Sequence, residues 1–148
     1  MAYEFKLTRR VEFSETDMAG IAHFSNFFRY MEAAEHAFFR SIGYSIYTTG
    51  FTPSIGWPRV HADCDFKSPI RFEDEIEIHL LVREKREKTI SYTVIFRKLN
   101  DDPVREVARG TLTVACVTRD KPGGAMKGTP IPAEIADKIE VAPRELLA

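Results

Sequence analysis

Chain length, composition and charge set the first limits on what the protein can be. Its 148 residues are 44% hydrophobic and 29% charged, and 21 Lys and Arg face 22 Asp and Glu for a formal net charge of −1. This balance fits one globular domain over residues 1–148 and argues against a disordered chain or a nucleic-acid-binding protein. No apolar run approaches the ~20 residues of a membrane helix, and the charges near residue 1 are unlike a signal peptide. We therefore expect a cytoplasmic protein without membrane insertion.

The first elements along the chain are a strand, a loop and a long helix. Alternating apolar residues predict a strand from Tyr3 to Phe13, and an ordered loop follows over residues 14–24. Ser25 and Asn26 are both good N-cap residues, and Gly43 stands where a C′ glycine would end a helix. An apolar stripe at spacings of three and four residues predicts a helix over 26–42. Its residues are Phe27, Met31, Ala34, Phe38 and Ile42, and the aromatic Phe28, Tyr30 and Phe39 widen it into a broad arc.

Four more strands and a tail complete the predicted order. Period-two alternation predicts strands over 60–66, 76–82, 90–96 and about 104–118. From about 120 to 148 the chain is rich in proline, with a short helix predicted from Pro132 to Glu140. One long helix among strands joined mainly by short turns predicts an α+β architecture, in which an antiparallel sheet of about five strands wraps around the helix.

The cysteines and histidines do not form a metal-binding pattern. Cys64 and Cys116 are too far apart for a CxxC motif, and the four histidines lack HxH or HExxH spacing. Both cysteines lie among alternating apolar residues, which predicts small, buried side chains. The sequence therefore predicts no metal site.

The segment from Val11 to Phe27 carries a recognisable pattern. An apolar strand end is followed by an acid-x-Asp triplet ending at Asp17, by Gly20 three positions on, and by a Ser-Asn-aromatic opening to the helix. This pattern resembles the signature of the 4-hydroxybenzoyl-CoA thioesterase family of hotdog-fold acyl-CoA thioesterases. The resemblance continues on Glu32, Ala34 and Gly43, and more loosely through 65–76 and 130–132.

The resemblance implies a catalytic carboxylate and a backbone oxyanion donor. Asp17 matches the family's catalytic acid, and the backbone N–H of Phe24, at the start of the helix, matches the group that polarises the thioester carbonyl. A thiol with a pKa of about 8.5 is a good leaving group, so a carboxylate and an oxyanion donor are sufficient. Several bacterial members have histidine where this chain has Phe24, whereas the histidine here is His23. The resemblance therefore assigns no imidazole to the mechanism.

Other residues are candidates for substrate contacts. The predicted acyl-site residues are Gly20, His23, Asn26, Trp57, Pro58 and His61. A basic cluster would suit the phosphates of coenzyme A, although a charged hairpin end often serves only solubility. Its residues are Arg83, Lys85, Arg86 and Lys88.

Three further acids have open roles in the sequence. Glu15 is predicted to face solvent at the strand end, and Glu32 to form an i,i+4 pair with His36. Glu35 falls inside the apolar arc, where a carboxylate needs a partner. That partner is either a local hydrogen bond or a site across a subunit boundary.

Together these features predict an acyl-CoA thioesterase that releases free CoA and a carboxylic acid without a metal or organic cofactor. The resemblance implies a homodimer or homotetramer with the site at the subunit boundary, and no nucleic-acid partner. Two alternatives stay open, because one fold can host several functions. They are a hotdog-fold acyl-thioester dehydratase or hydratase, and a non-catalytic acyl-thioester binding module.

Overall fold

Five strands form one antiparallel sheet in the order β1–β4–β5–β6–β3 in the computed structural model, which describes residues 1–47 and 50–148. A small second sheet has the order β2–β7–β8, which the sequence did not indicate. The elements are β1 (Glu4–Arg10), α1 (Ser25–Ser41), β2 (Ile55–Gly56), β3 (Arg59–Phe66), β4 (Glu75–Lys85), β5 (Thr89–Lys98), β6 (Arg105–Ala115), β7 (Val117–Thr118), β8 (Lys127–Gly128), α2 (Ala133–Ala136) and α3 (Arg144–Leu147). The predicted α+β architecture is confirmed.

Helix α1 lies against one face of the five-stranded sheet and forms the core with it. Its apolar stripe is buried, and Phe38 packs edge-to-face on Tyr92 of β5 with ring centroids 6.0 Å apart. Gly43 has a φ of +93°, as expected of the glycine that ends a helix. The predicted N-caps are wrong, because the N-cap position is Phe24 and no side chain of the described residues caps the helix. The sheet of a single protomer thus covers most of the apolar arc of α1.

Strand β3 is an edge of the sheet, and most of its residues are exposed. The ladder with β6 shifts at a bulge between Arg59 and His61, which leaves Val60 without a partner. Because of this extra residue, Arg59 pairs with buried Val114 and turns to the α1 side of the sheet. Strict alternation from His61 would have placed Arg59 on the opposite side.

The C-terminal tail covers the outer face of the sheet, away from α1. Leu81 and Ile95 are buried there with Ala142, and Tyr3, Leu146 and Leu147 pack around them. The short helix α2 spans Ala133–Ala136, fewer residues than the predicted range. No helix in the described ranges is long and apolar enough to span a membrane.

Candidate active site

The loop that precedes α1 is held by the carboxylate of Glu15. This carboxylate accepts hydrogen bonds from Arg9 Nη2 (2.7 Å), Tyr30 Oη (3.0 Å) and the backbone N–H of Glu12 (2.8 Å). Burial and the bond to Glu15 raise the pKa of Tyr30 well above its ordinary value. The prediction that Glu15 faces solvent is therefore wrong, since its side chain is only 15% exposed and fixes the loop to β1 and α1.

Asp17 lies in a tight turn within this loop. Its N–H donates to the carbonyl of Ile21 (2.9 Å), and its own carbonyl accepts from the N–H of Gly20 (3.0 Å). The Asp17 Oδ1 atom accepts from the N–H of Ala19 at 2.8 Å, which orients the carboxylate. Gly20 has a φ of +79°, a left-handed conformation that glycine adopts without strain. Gly20 thus has a backbone role in the turn that presents Asp17.

The start of α1, beside the turn that contains Asp17, offers one backbone N–H as a possible donor. The N–H of Ser25 points to His23 Nδ1 (3.3 Å), and the N–H of Asn26 donates to the His23 carbonyl (2.9 Å). The Phe24 N–H has no hydrogen-bond partner among the described residues. This free donor lies at the positive end of a 17-residue helix.

A cleft of about 480 Å³ brings the two groups together. Its walls are mostly apolar, so a charge that develops inside it is poorly screened by water. The Phe24 side chain is 60% exposed at its mouth, and Phe27 packs on Phe66 deeper inside with ring centroids 5.0 Å apart. The lining residues are Asp17, Ile21, Ala22, Phe24, Phe27, Phe66, Lys67, Ser68, Pro69 and Ile70.

His23 and Asn26 lie beside the cleft, but their side chains have internal partners. The buried amide of Asn26 donates to the Glu15 carbonyl at 2.8 Å, so it ties the loop to the helix. The His23 Nδ1 atom is 2.8 Å from Ser25 Oγ, and its ring lies over Phe24. Both side chains shape the helix start, and neither is a lining residue of the cleft.

Trp57, Pro58 and His61 lie away from Asp17 within one protomer. Trp57 is buried against Phe39, with ring centroids 5.2 Å apart, near the far end of α1. Pro58 lines a separate cavity of about 360 Å³ between β2 and β7. The exposed His61 contacts Asp63 at 2.7 Å on the edge strand β3.

The structure does not join the four basic residues of 83–88 into one anion site. Lys85 Nζ donates to the carbonyls of Ala136 (2.9 Å) and Ile139 (2.8 Å), so it anchors the tail. Arg86 pairs with Glu84. Arg83 lines a cavity on the outer face. The side chain of Lys88 passes Gly128 of the small sheet.

A buried ion pair lies on the α1 side of the sheet. Glu35 is 0% exposed, and its Oε1 accepts from Arg59 Nη2 at 2.6 Å. Its Oε2 has no hydrogen-bond partner among the residues that the structure describes, and the same holds for the buried hydroxyl of Tyr92. Burial raises the pKa of Glu35 to about 7, although the Arg59 guanidinium opposes this shift. The sequence left two partners open for Glu35, a local hydrogen bond or a site across a subunit boundary. The structure shows the local bond, to Arg59.

A surface pair on α1 and the two thiols are the other groups that the sequence singled out. Glu32 and His36 form the predicted i,i+4 pair, with His36 Nε2 3.7 Å from Glu32 Oε1. Burial raises the pKa of Cys64 to about 12 and that of Cys116 to about 11, so both thiols stay protonated at neutral pH. No group of three His, Cys, Asp or Glu side chains that could hold a metal ion occurs in the described part of the chain.

The chain is similar to several known proteins in sequence and in fold. A 1,4-dihydroxy-2-naphthoyl-CoA hydrolase of Synechococcus sp. (strain CC9311) is 32% identical over 117 residues, which is 72% of each chain. A structure from Aquifex aeolicus matches with a TM-score of 0.79 and 31% identity, covering 92% of this chain and 99% of that one. The 4-hydroxybenzoyl-CoA thioesterase of Pseudomonas sp. strain CBS-3 has the same hotdog fold, with a TM-score of 0.79, 22% identity and coverage of 93% and 99%. Residues 11–139 match the model of the thioesterase-like superfamily, and the chain belongs to that family.

Proposed function

We propose that the protein hydrolyses an acyl-CoA thioester to free CoA and a carboxylic acid. One observation carries the proposal: Asp17 and Phe24, whose N–H has no hydrogen-bond partner among the described residues, line the same largely apolar cleft. The relatives support the substrate class, since curated proteins similar to this chain are named as hydrolases or thioesterases of aryl-CoA compounds.

In the proposed mechanism the thioester carbonyl oxygen accepts a hydrogen bond from the Phe24 N–H. As the carbonyl carbon becomes tetrahedral, its oxygen gains negative charge, which the N–H and the helix dipole stabilise. Asp17 either attacks this carbon or removes a proton from the water that does. The C–S bond then breaks, and the thiolate of CoA leaves without needing a strong general acid. If Asp17 is the nucleophile, water then hydrolyses the mixed anhydride formed on Asp17, which releases the carboxylic acid and restores the carboxylate.

Removal of the carboxylate charge tests the proposal. Asp17→Asn should lower kcat by ~100-fold or more, the usual scale for a general base or nucleophile. Free thiol is measured with a thiol-reactive dye on a panel of acyl-CoAs, and binding of acyl-CoA should persist. Asp102→Asn, in an exposed turn, is the matched control. A folded Asp17→Asn enzyme with near-wild-type thiol release would exclude Asp17 from the chemistry.

The same panel separates the two alternative functions. An acyl chain that is altered without thiol release would indicate a dehydratase or hydratase. Saturable binding with neither change would indicate a binding module.

We also propose that two protomers associate through β3. This strand is an edge with exposed backbone and with large apolar side chains, Val60 (60% exposed) and Phe66 (49% exposed). Exposed apolar edges invite pairing with another strand. Light scattering at micromolar concentration should give at least twice the mass of one chain, whereas a stable monomer would contradict the association.

A further inference from the structure

We propose that Glu15 is a positioning residue, which sets the separation between the Asp17 carboxylate and the Phe24 N–H. This role rests on the proposed function and deepens it. It gives Glu15 a part in turnover although its side chain neither moves a proton nor touches the reacting atoms in the proposed mechanism.

The two reacting groups belong to one closed loop, and Glu15 stands where that loop closes. The N–H of His23 donates to the Glu15 carbonyl at 2.8 Å, and an antiparallel bridge and the Asp17 turn continue the pairing inside the loop. Asp17 follows Glu15 by two residues, and Phe24 follows His23 directly. Both groups are therefore placed relative to the bonded pair of Glu15 and His23.

Helix α1 holds this closing point at two places. Asn26 Nδ2 donates to the Glu15 carbonyl at 2.8 Å, and Tyr30 Oη donates to Glu15 Oε1 at 3.0 Å. Both donors are buried, with Asn26 5% exposed and Tyr30 0% exposed. Since positions 26 and 30 lie one turn apart on the same face of the helix, the two bonds fix the orientation of Glu15 as well as its distance from α1.

Strand β1 and the start of the loop hold the same carboxylate from the other side. Arg9 Nη2 donates to Oε2 at 2.7 Å, and its guanidinium lies over the Tyr30 ring, 4.6 Å from the centroid. The N–H of Glu12 donates to Oε1 at 2.8 Å. Hydrogen bonds to a charged group are among the stronger ones, and the Glu15 side chain is only 15% exposed. One carboxylate thus joins β1, the loop and α1.

This arrangement matters for turnover more than for substrate binding. The thioester carbon must lie near Asp17 while its oxygen lies near the Phe24 N–H, and a misplacement of about 1 Å can cost ~100-fold in rate. Glu15 is not among the described residues that line the cleft, whose walls are largely apolar. Loosening Glu15 should therefore lower kcat and leave the affinity for the substrate nearly unchanged.

Two substitutions loosen Glu15 without leaving a buried acceptor unpaired. Tyr30→Phe removes one hydroxyl, and the Glu12 N–H still donates to Oε1. Asn26→Leu removes one amide, and the His23 N–H still donates to the Glu15 carbonyl. In each folded variant kcat should fall ~fivefold or more, a part of the cost of a misplacement of about 1 Å. The Kd of a thioether analogue of the acyl-CoA, which cannot be hydrolysed, should change by less than ~twofold.

Tyr92→Phe is the matched control. It removes the hydroxyl of another fully buried tyrosine, on β5, which has no hydrogen-bond partner among the described residues. A residue that serves only the fold changes the free energy of unfolding and not the turnover of the folded enzyme, so Tyr92→Phe should keep the wild-type kcat. A smaller fall than ~fivefold in Tyr30→Phe, the lesser change of the two, would overturn the assignment. If Tyr30→Phe does not fold, Asn26→Leu decides by the same limit. A rise in Kd that matches the fall in kcat would also overturn it, because the cleft itself would then be damaged.

A double substitution distinguishes positioning from a chemical use of the Glu15 charge. In Arg9→Met/Glu15→Gln both charges are gone, but the glutamine Oε1 can still accept from Tyr30 and from the Glu12 N–H. This variant should keep kcat within ~threefold of wild type, whereas loss of a general base costs ~100-fold or more. A loss of that size in the folded variant would make Glu15 a participant in the chemistry and overturn the positioning role.

Thiol release by Asp17→Asn separates the failure of this role from the failure of the proposed function. If Asp17→Asn loses turnover and Tyr30→Phe does not, thioester hydrolysis stands and the role of Glu15 falls. If the wild-type protein releases no thiol from any acyl-CoA of the panel, the proposed function fails, and the role of Glu15 fails with it.

Discussion

The substitution Glu35→Gln should change how the stability of the protein depends on pH. Glu35 is the fully buried carboxylate of α1, and burial raises its pKa from 4.5 to about 7. At 1.36 kcal/mol for each pH unit, this difference corresponds to roughly 3 kcal/mol between the folded and unfolded chains. Glutamine has nearly the same shape and does not titrate, so the variant isolates the contribution of the charge.

The sign of the effect follows from proton binding. Between pH 4.5 and about 7 the folded protein holds the Glu35 proton more tightly than the unfolded chain, so the free energy of unfolding falls as pH rises. Below this window both states are protonated, and above it both are ionised and the full cost is present. The stability of Glu35→Gln relative to wild type should therefore increase by roughly 3 kcal/mol from pH 4.5 to 7.5.

Urea unfolding followed by circular dichroism at several pH values, at one protein concentration, measures this difference. Glu134→Gln is the control, because Glu134 is an exposed glutamate of the short helix α2. Its stability difference from wild type should stay nearly constant over the same range. If the Glu35→Gln difference is equally constant, within ~0.5 kcal/mol, burial does not destabilise the charged form and our reasoning fails.

Three further substitutions address the site and the core. Phe24→Leu keeps the backbone N–H and should hold kcat within ~threefold of the wild-type value, whereas Phe24→Pro removes the N–H and should lower kcat ~100-fold or more. The φ of −55° at position 24 is compatible with proline, so both variants should fold. Equal losses of kcat in the two folded variants would refute the oxyanion role of the N–H. His23→Ala should lower kcat by less than ~tenfold, since the proposed mechanism uses no imidazole, and a collapse of thiol release with an unchanged circular dichroism spectrum would contradict this. Gly110→Ala should lower the free energy of unfolding by ~1–3 kcal/mol, because a Cβ there would collide with the Asp63 carbonyl oxygen. Urea unfolding measures this loss of stability. Gly128→Ala is the control, because a Cβ at that position would meet only ordinary van der Waals contacts.

The main elements could be predicted because their signals are local. The helix predicted over 26–42 is found at Ser25–Ser41, since its apolar spacing and Gly43 act within a few residues. The strands predicted over 76–82 and 90–96 lie within β4 and β5, where an apolar residue recurs at every second position. The turn that presents Asp17 was predicted only as an ordered loop, because its bonds join residues without a periodic pattern.

What the sequence did not predict depends on contacts between distant residues. The sequence predicts Glu15 to be a solvent-facing acid at the end of a strand. In the fold Arg9 and Tyr30 approach its carboxylate, which becomes the centre of a hydrogen-bond network. The sequence places Lys85 in a basic cluster. In the fold its ammonium group donates to two carbonyl groups of the C-terminal tail, which are more than 50 residues away in sequence. Such pairings follow from the packing of whole elements, to which single-residue patterns are insensitive.

The bulge at Val60 has a consequence for related chains that differ in length. Arg59 and His61 already pair with the adjacent residues Val114 and Thr113, so deleting Val60 would leave Arg59 on the α1 side. Inserting one residue between Arg59 and Val60 would instead shift Arg59 by one position and turn it toward the outer face. Glu35 would then lose its counter-charge although neither charged residue had been replaced. A gain of a single codon can thus act here as an electrostatic change in the core. Substitution at position 35 to a neutral residue should therefore accompany such a lengthening of β3 as the family diverges.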